Sequence, residues 1–263
     1  MTPYFEQDGI TLYHGDNVQT MQQVIPDASI DLVVTSPPYD NLRTYGGHSW
    51  NFEGLAAELW RAIKPGGVVV WIVNDATVDG SETGTSFRQA LHFKDIGFRL
   101  HDTMIYLKEQ IQFPDSVRYY NAFEFMFVLS KEQPKTVNLI ADRENVSAGK
   151  IVQGNERRRD GSLTPRPCAG NVCADKGIRW NWWKVSHAQR GLETKHPATF
   201  PESLARDHIL SWSNEGDIVL DPFAGSGTTL KMARLMGRHG IGIEIHERYC
   251  KIAAERLRQR LLF

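Results

Sequence analysis

Two short stretches of the chain carry residues whose types and spacing suit chemistry. The first is Thr35-Ser36-Pro37-Pro38-Tyr39, which ends the apolar run Ile30 to Val34. Consecutive prolines fix an extended loop and remove two backbone donors. That leaves acceptors with a fixed aim, the Ser36 hydroxyl and the Pro37 carbonyl, beside the aromatic face of Tyr39. Two such acceptors suit the two hydrogens of an exocyclic amine, and the Tyr39 ring could stack on the heterocycle that bears it. Taken alone, the tetrapeptide is equally well a stiff turn.

The second stretch is Asp221-Pro222-Phe223-Ala224-Gly225-Ser226-Gly227-Thr228-Thr229, set between an apolar run and a helical pattern. Its glycines allow a sharp turn and a close backbone approach to a ligand. A helix opening there offers free N–H groups and the positive end of its dipole. Glu244 follows 19 residues after Gly225, at the end of the next apolar run, where a carboxylate can accept both hydroxyls of a ribose. The logic is that of a nucleoside cofactor. Two rivals fit less well. A P-loop needs Lys after its last glycine, where Thr228 stands, and a dinucleotide fingerprint wants a third glycine, where Leu230 stands.

The elements that must position these loops follow from periodicity. Buried strands are expected at Ile30 to Thr35, Val68 to Val73, Leu100 to Leu107, Phe123 to Leu129, Ile218 to Leu220 and Gly240 to Ile243. Helices are expected through Phe52, Leu55, Ala56, Leu59, Trp60 and Ile63, over Ser86 to Ile96, over Pro201 to Trp212, from Thr228, and over His246 to Leu262. Lys64-Pro65-Gly66-Gly67 is a helix stop, and Pro201 suits a helix start. Alternation of this kind implies an α/β fold with a mostly parallel sheet flanked by helices.

Composition sets the frame. The chain has 263 residues, 41% hydrophobic and 23% charged, which excludes wholesale disorder and low-complexity classes. No basic leader with an apolar run opens it, and the longest apolar run, Val68 to Val73, is far too short to span a membrane. Cys168, Cys173 and Cys250 cannot build a disulfide framework and point to a reducing cytoplasm. Two of them lie near His187 and His196, but that spacing is not a zinc pattern, so no metal is expected.

Charge is unevenly spread. Lys131 to Lys195 holds 13 Lys+Arg and 7 Asp+Glu, a local +6, against 17 and 24 elsewhere, a local −7; the total is −1. The basic stretch lacks apolar periodicity and includes Arg157, Arg158, Arg159, Arg166 and Arg179, together with Trp180, Trp182 and Trp183. The tryptophans are expected to pack a small core, with Trp180 and Trp182 on one strand face.

Together the two loops resemble those of the DNA amino-methyltransferases that use S-adenosylmethionine. In that family an (Asp/Asn/Ser)-Pro-Pro-(Tyr/Phe/Trp) loop holds the target amine and a Phe-x-Gly-x-Gly loop holds the cofactor. The order found here, catalytic loop first, resembles the circularly permuted beta class. Leu12 to Asp16, Arg118 to Lys131 and Lys195 to Pro201 resemble further family segments. The resemblance covers about 1–131 and 194–263. It implies a Rossmann-like class I methyltransferase fold divided into 1–130 (catalytic half), 131–194 (an inserted target-recognition region) and 195–263 (cofactor half).

The resemblance also implies roles. Asp221, Pro222, Phe223, Gly225, Ser226, Gly227 and Thr228 would line the methionyl part of S-adenosylmethionine. Glu244 would take the ribose hydroxyls and Asp16 the adenine amine, although Asp16 also suits a helix cap. Lys195, His196 and Pro197 would approach the amino-acid end. Ser36, Pro37, Pro38 and Tyr39 would hold an amine of a base flipped out of double-stranded DNA. Arg43, in a loop over that base, and Arg157, Arg158, Arg159, Arg166 and Arg179 would contact DNA. Serine at position 36 is typical of cytosine N4 methylation in the family, aspartate of adenine N6 methylation. Dimers are frequent in the family, so a homodimer is one expected assembly and a cognate restriction endonuclease one expected functional partner.

Overall fold

The apolar runs become the middle of one large sheet. In this computed structural model the described residues are 1–38, 50–108, 116–185 and 201–259. The chain divides into two compact units, 1–138 with 181–263, and 139–180.

The larger unit is built on a nine-stranded sheet. Its strands in chain order are β1 (Phe5–Gln7), β2 (Ile10–His14), β3 (Ile30–Thr35), β4 (Ile63–Val73), β5 (Arg99–Leu107), β6 (Phe123–Ser130), β7 (Trp182–Lys184), β8 (Ile218–Asp221) and β9 (His239–Glu244). Across the sheet they run β1-β2-β9-β8-β3-β4-β6-β5-β7. From β2 to β4 the neighbours are parallel, whereas β6 runs antiparallel to both β4 and β5. The helices are α1 (Asn17–Val24), α2 (Phe52–Ala62), α3 (Thr85–Asp95), α4 (Glu202–Trp212), α5 (Thr228–Leu235) and α6 (Glu247–Arg258).

Alternating residues of the central strands serve opposite cores. Leu32, Val34, Val68, Val70 and Ile72 pack with Leu204, Ile209, Leu230, Ala233 and Leu257 of α4, α5 and α6. Val33, Val69, Trp71 and Val73 pack with Met21, Leu55, Leu59 and Phe93 of α1, α2 and α3. Strands covered on both faces must be apolar throughout, which is why they read as continuous runs and not as alternation. Each fully buried Leu or Val is worth about 1.5–3 kcal/mol over its exposed state. Trp71 keeps its polar edge satisfied by donating Nε1–H to Gln89 Oε1 (2.9 Å).

Glycine lets the layers close. A Cβ on Gly242 of β9 would stand 2.6 Å from a Leu230 methyl and 3.0 Å from Ala224 Cβ, so α5 could not lie this close to the strand with any other residue there.

Several sequence expectations are adjusted by the structure. A β1–β2 hairpin, unannounced by strong periodicity, forms the first edge of the sheet, and helix α1 follows it. The second strand begins at Ile63 and so runs through Lys64-Pro-Gly-Gly, because Gly66 and Gly67 exchange backbone bonds with Lys131. The last helix ends at Arg258, and 260–263 lie outside the described residues. The tryptophans do not share one small core. Trp183 of β7 joins the main core and stacks on His208 at 4.5 Å, while Trp180 and Trp182 are 54% and 48% exposed. The bulky, mostly apolar ring is buried where β7 adds to β5 under α4.

The smaller unit, 139–180, is a set of short antiparallel pairings, Arg143–Glu144 with Lys176–Gly177 and Asn155–Arg157 with Leu163–Pro165.

Candidate active site

The sheet has one place where its winding reverses. β8 and β3 are parallel neighbours, with Val219 beside Leu32 and Leu220 beside Val33. From β8 the chain crosses by α5 to β9 on one side. From β3 it crosses by α2 to β4 on the other. Loops leaving the carboxyl ends of two such strands diverge and open a crevice, the usual ligand site of open α/β sheets. The two loops singled out in the sequence are the ones that leave these strands.

A buried hydrogen bond ties the two strand ends together: Thr35 Oγ1 donates to Asp221 Oδ1 (2.7 Å). The same oxygen accepts the Phe223 N–H (3.1 Å), which shapes the start of the glycine loop. Asp221 is 5% exposed, and burial pushes its carboxyl up to about 6, with the nearby Glu244 charge adding to the rise. Next in chain, Ser36 is half-buried, Pro37 buried and Pro38 half-buried. Tyr39, Arg43, Lys195, His196 and Pro197 lie outside the described residues.

The glycine loop is shaped by its backbone. Gly225 and Gly227 have φ of +51° and +77°, the left-handed region that a side chain disfavours. Gly227 is also the N-cap of α5, and a Cβ there would press on Ala253 at 3.1 Å. Ala224 N–H donates to the Ile243 carbonyl, and Thr229 Oγ1 donates to the Val34 carbonyl, so the loop is fastened to both β9 and β3. The Ser226 and Thr228 side chains are buried and accept from Arg256 Nη1 at 3.3 and 2.9 Å. Arg256 is held in turn by Glu202. This clamp was not legible in the sequence: its members lie 28 to 54 positions apart with no local pattern.

Glu244, at the end of β9, is 8% exposed. Its Oε2 accepts the Gly225 N–H (2.9 Å) and its Oε1 the His246 N–H (2.8 Å). Each oxygen keeps a second lone pair, so the carboxylate is oriented without being exhausted as an acceptor. Burial pushes its pKa up. One strand further, Gly15 N–H donates to the Glu244 carbonyl (3.0 Å). The half-exposed Asp16 caps α1 by accepting the Gln19 N–H at Oδ1 (3.0 Å). The cap and the adenine role are compatible, because the second carboxylate oxygen is not part of that bond.

Asp16, Glu244, the Asp221–Gly227 loop and Ser36-Pro37 therefore follow one another along the ends of β2, β9, β8 and β3. Three inter-strand steps of about 4.8 Å make this a span of about 14 Å, the scale of a nucleoside with an amino-acid tail. The residues fit a ligand with hydroxyls and a positive charge. Two buried carboxylates offer acceptors only, and both are held at raised pKa where a cation or hydroxyl donors would relieve them. One contributor was missed. Trp50 packs edge-on against Phe223 at 5.1 Å and beside Trp71 at 6.1 Å, joining the start of α2 to the glycine loop. An aromatic eleven residues past Tyr39 carried no signal of that partner.

In the smaller unit, Arg179 forms a bidentate pair with Asp142, which holds that carboxyl below its usual range. Arg157, Arg158, Arg159 and Arg166 are exposed. Among the described residues no group of three or more His, Cys, Asp or Glu is placed to hold a metal, and no helix is long and apolar enough to cross a membrane.

Comparison with known proteins places this geometry. The chain is 55% identical over 249 residues to the orphan methyltransferase M.BamHII of Bacillus amyloliquefaciens, covering 92% of this chain and 94% of that one. It is 28% identical to the DNA adenine methyltransferase YhdJ of Escherichia coli (strain K12), over 96% and 84% of the two chains. Its fold matches that of the PvuII DNA methyltransferase (cytosine-N4-specific) with a TM-score of 0.73, 21% identity, and coverage of 99% and 90%. The sheet order and central switch point are accordingly those of a Rossmann-like class I methyltransferase. The family model described as DNA methylase matches residues 30–255, a span that opens at β3 and takes in both loops and Glu244. The chain belongs to the N6/N4 DNA methylase family.

Proposed function

We propose that this DNA amino-methyltransferase acts on the N4 amine of cytosine, flipped out of duplex DNA. The observation that carries the mechanism is the Thr35–Asp221 bond, which locks the Ser-Pro-Pro loop and the glycine loop onto adjacent strand ends. S-adenosylmethionine supplies an electrophilic methyl group on its sulfonium.

The chain's own residues do the rest. Glu244 accepts the ribose hydroxyls, Asp16 the adenine amine, and Asp221 faces the cationic amino-acid end. An exocyclic amine is a poor nucleophile because its lone pair is delocalised into the ring. Ser36 Oγ and the Pro37 carbonyl accept its two hydrogens and favour a pyramidal nitrogen, with the lone pair turned toward the methyl. Contacts of this kind accelerate transfer only as far as they improve in the transition state. Serine is a weak base, so the proton lost after transfer leaves to water. Tyr39 replaces the stacking that the base gives up on leaving the duplex. The basic stretch 131–194 holds the phosphates.

Ser36 favours cytosine over adenine, since family members with Ser in the loop are typically N4 enzymes. The test is to incubate the protein with S-adenosylmethionine and unmethylated genomic duplex DNA, digest to nucleosides and identify the product by mass. N4-methylcytosine is expected. N6-methyladenine alone would overturn the base assignment, and an unmethylated digest would overturn the activity.

A further inference from the structure

Within the polar stretch that gave no periodicity, residues 140–179 fold back on themselves. Backbone bonds link Arg179 to Ile140, Asn145 to Asp175, Cys173 to Lys150, Val152 to Asn171, Arg166 to Gly154 and Arg158 to Ser162. Between them lie the pairs Glu144–Lys176, Ile151–Val172 and Glu156–Thr164. Residues 140–179 are thus one two-stranded antiparallel ribbon, and its tip is the arginine triplet.

The tip is preorganised. Arg158 to Gly161 make a turn closed by the Gly161 N–H on the Arg158 carbonyl (3.0 Å), with Gly161 at φ +85°. A turn followed by a left-handed glycine is a common hairpin closure that matches the strand twist. Asp160 Oδ1 accepts both the Ser162 N–H (2.9 Å) and its hydroxyl (2.6 Å), which fixes the far side.

The ribbon's arginines divide into two groups. At the base, Arg179 is paired with Asp142, and Arg143 lies over the Trp180 ring at 4.3 Å while donating to the Ile178 carbonyl. These hold the ribbon together. Near the tip, Arg158 donates to Thr164 Oγ1 (3.2 Å). Arg157 and Arg159 are exposed, and among the described residues neither side chain has a partner. Arg157 shares a ribbon face with Leu163, its cross-strand neighbour, which is 60% exposed. Arg159 sits at the apex of the turn.

We propose that the tip of this ribbon, residues 155–165, enters the major groove of duplex DNA, and that Arg157 and Arg159 read guanine edges there. A major groove admits a two-stranded ribbon, and a free guanidinium is the side chain that bonds guanine O6 and N7 together. Leu163 beside Arg157 supplies an apolar contact of the kind that reads a thymine methyl. The proposal rests on DNA being the substrate, as above.

The test compares wild type, Arg157→Ala, Arg159→Ala and Lys94→Ala, the last on the exposed face of α3, on a duplex library with randomised sequence, reading methylated molecules by sequencing. Each tip variant should lose preference for guanine at one position of the methylated motif by about tenfold or more, with S-adenosylmethionine affinity unchanged by calorimetry. Lys94→Ala should keep the wild-type motif. A motif identical to wild type in both tip variants would overturn the ribbon reading and leave the methyltransferase reading intact. No methylation of any duplex by the wild-type protein would overturn both.

Discussion

Replacing Ser36 by alanine is expected to lower kcat about a hundredfold while the dissociation constant for S-adenosylmethionine stays within about threefold. In the proposed mechanism the hydroxyl is one of two acceptors for the amine, and the other, the Pro37 carbonyl, cannot be removed by substitution. Without Ser36 Oγ one N–H of the amine would lose its partner, and the nitrogen would lose the contact that turns its lone pair. The contacts proposed for the cofactor run through Asp221, Gly225 and Glu244, on and after neighbouring strands, so its affinity should be spared. Ser36→Asp restores an acceptor and should recover part of the lost rate. The readouts are single-turnover kinetics and calorimetry. Unchanged turnover in Ser36→Ala, or a parallel loss of cofactor affinity, would contradict the role assigned to this loop.

Replacing Asp221 by asparagine should stabilise the unliganded protein and weaken cofactor binding. Burial raises the Asp221 carboxyl to about 6 from an ordinary 3.8. A raised carboxyl folds more readily when protonated. The stability it contributes is present below about pH 4 and is lost as pH rises through 6. Above that, ionised Asp221 costs the fold on the order of 3 kcal/mol. Asparagine retains an oxygen acceptor for the Thr35 hydroxyl and the Phe223 N–H, and it carries no charge. At pH 8 the variant should therefore unfold at higher denaturant than wild type by on the order of 1–3 kcal/mol, and at pH 4 the two should nearly coincide.

The cofactor should respond in the opposite sense. Its α-amino group, with a pKa of about 8, is cationic near neutrality and favours the ionised carboxylate. Wild-type affinity should rise between pH 5 and 7 with a midpoint near 6, and the variant should be flat over that range and about tenfold weaker at pH 7.5. Equal or lower stability of Asp221→Asn at pH 8 would contradict this balance.

What could be read beforehand has a physical cause. β3, β4 and β8 are buried on both faces, so they must be runs of Val, Ile and Leu. The loops after β3 and β8 turn sharply and carry Pro or Gly. Those two features set Ser36, Asp221, Gly225 and Gly227 at the ends of β3 and β8, where the folded chain has them. The β1–β2 hairpin is short and half-exposed, so its alternation is weak, and α1 has a narrow apolar stripe. Arg256 and Trp50 act through partners that only the folded chain brings near. The ribbon of 140–179 is held by backbone bonds between exposed residues, for which hydrophobic periodicity has no signal. Trp183 reads as part of that region because it lies inside the basic stretch 131–195, whereas β7 has already rejoined the main sheet.

A crystal structure with S-adenosylhomocysteine bound is the most direct test that the loops after β3 and β8 form one site with Glu244. The ribose hydroxyls should lie within hydrogen-bonding distance of the Glu244 carboxylate, the adenine amine at Asp16, and the sulfur facing Ser36 and Pro37. A nucleoside bound away from Glu244, with the glycine loop untouched, would contradict that arrangement.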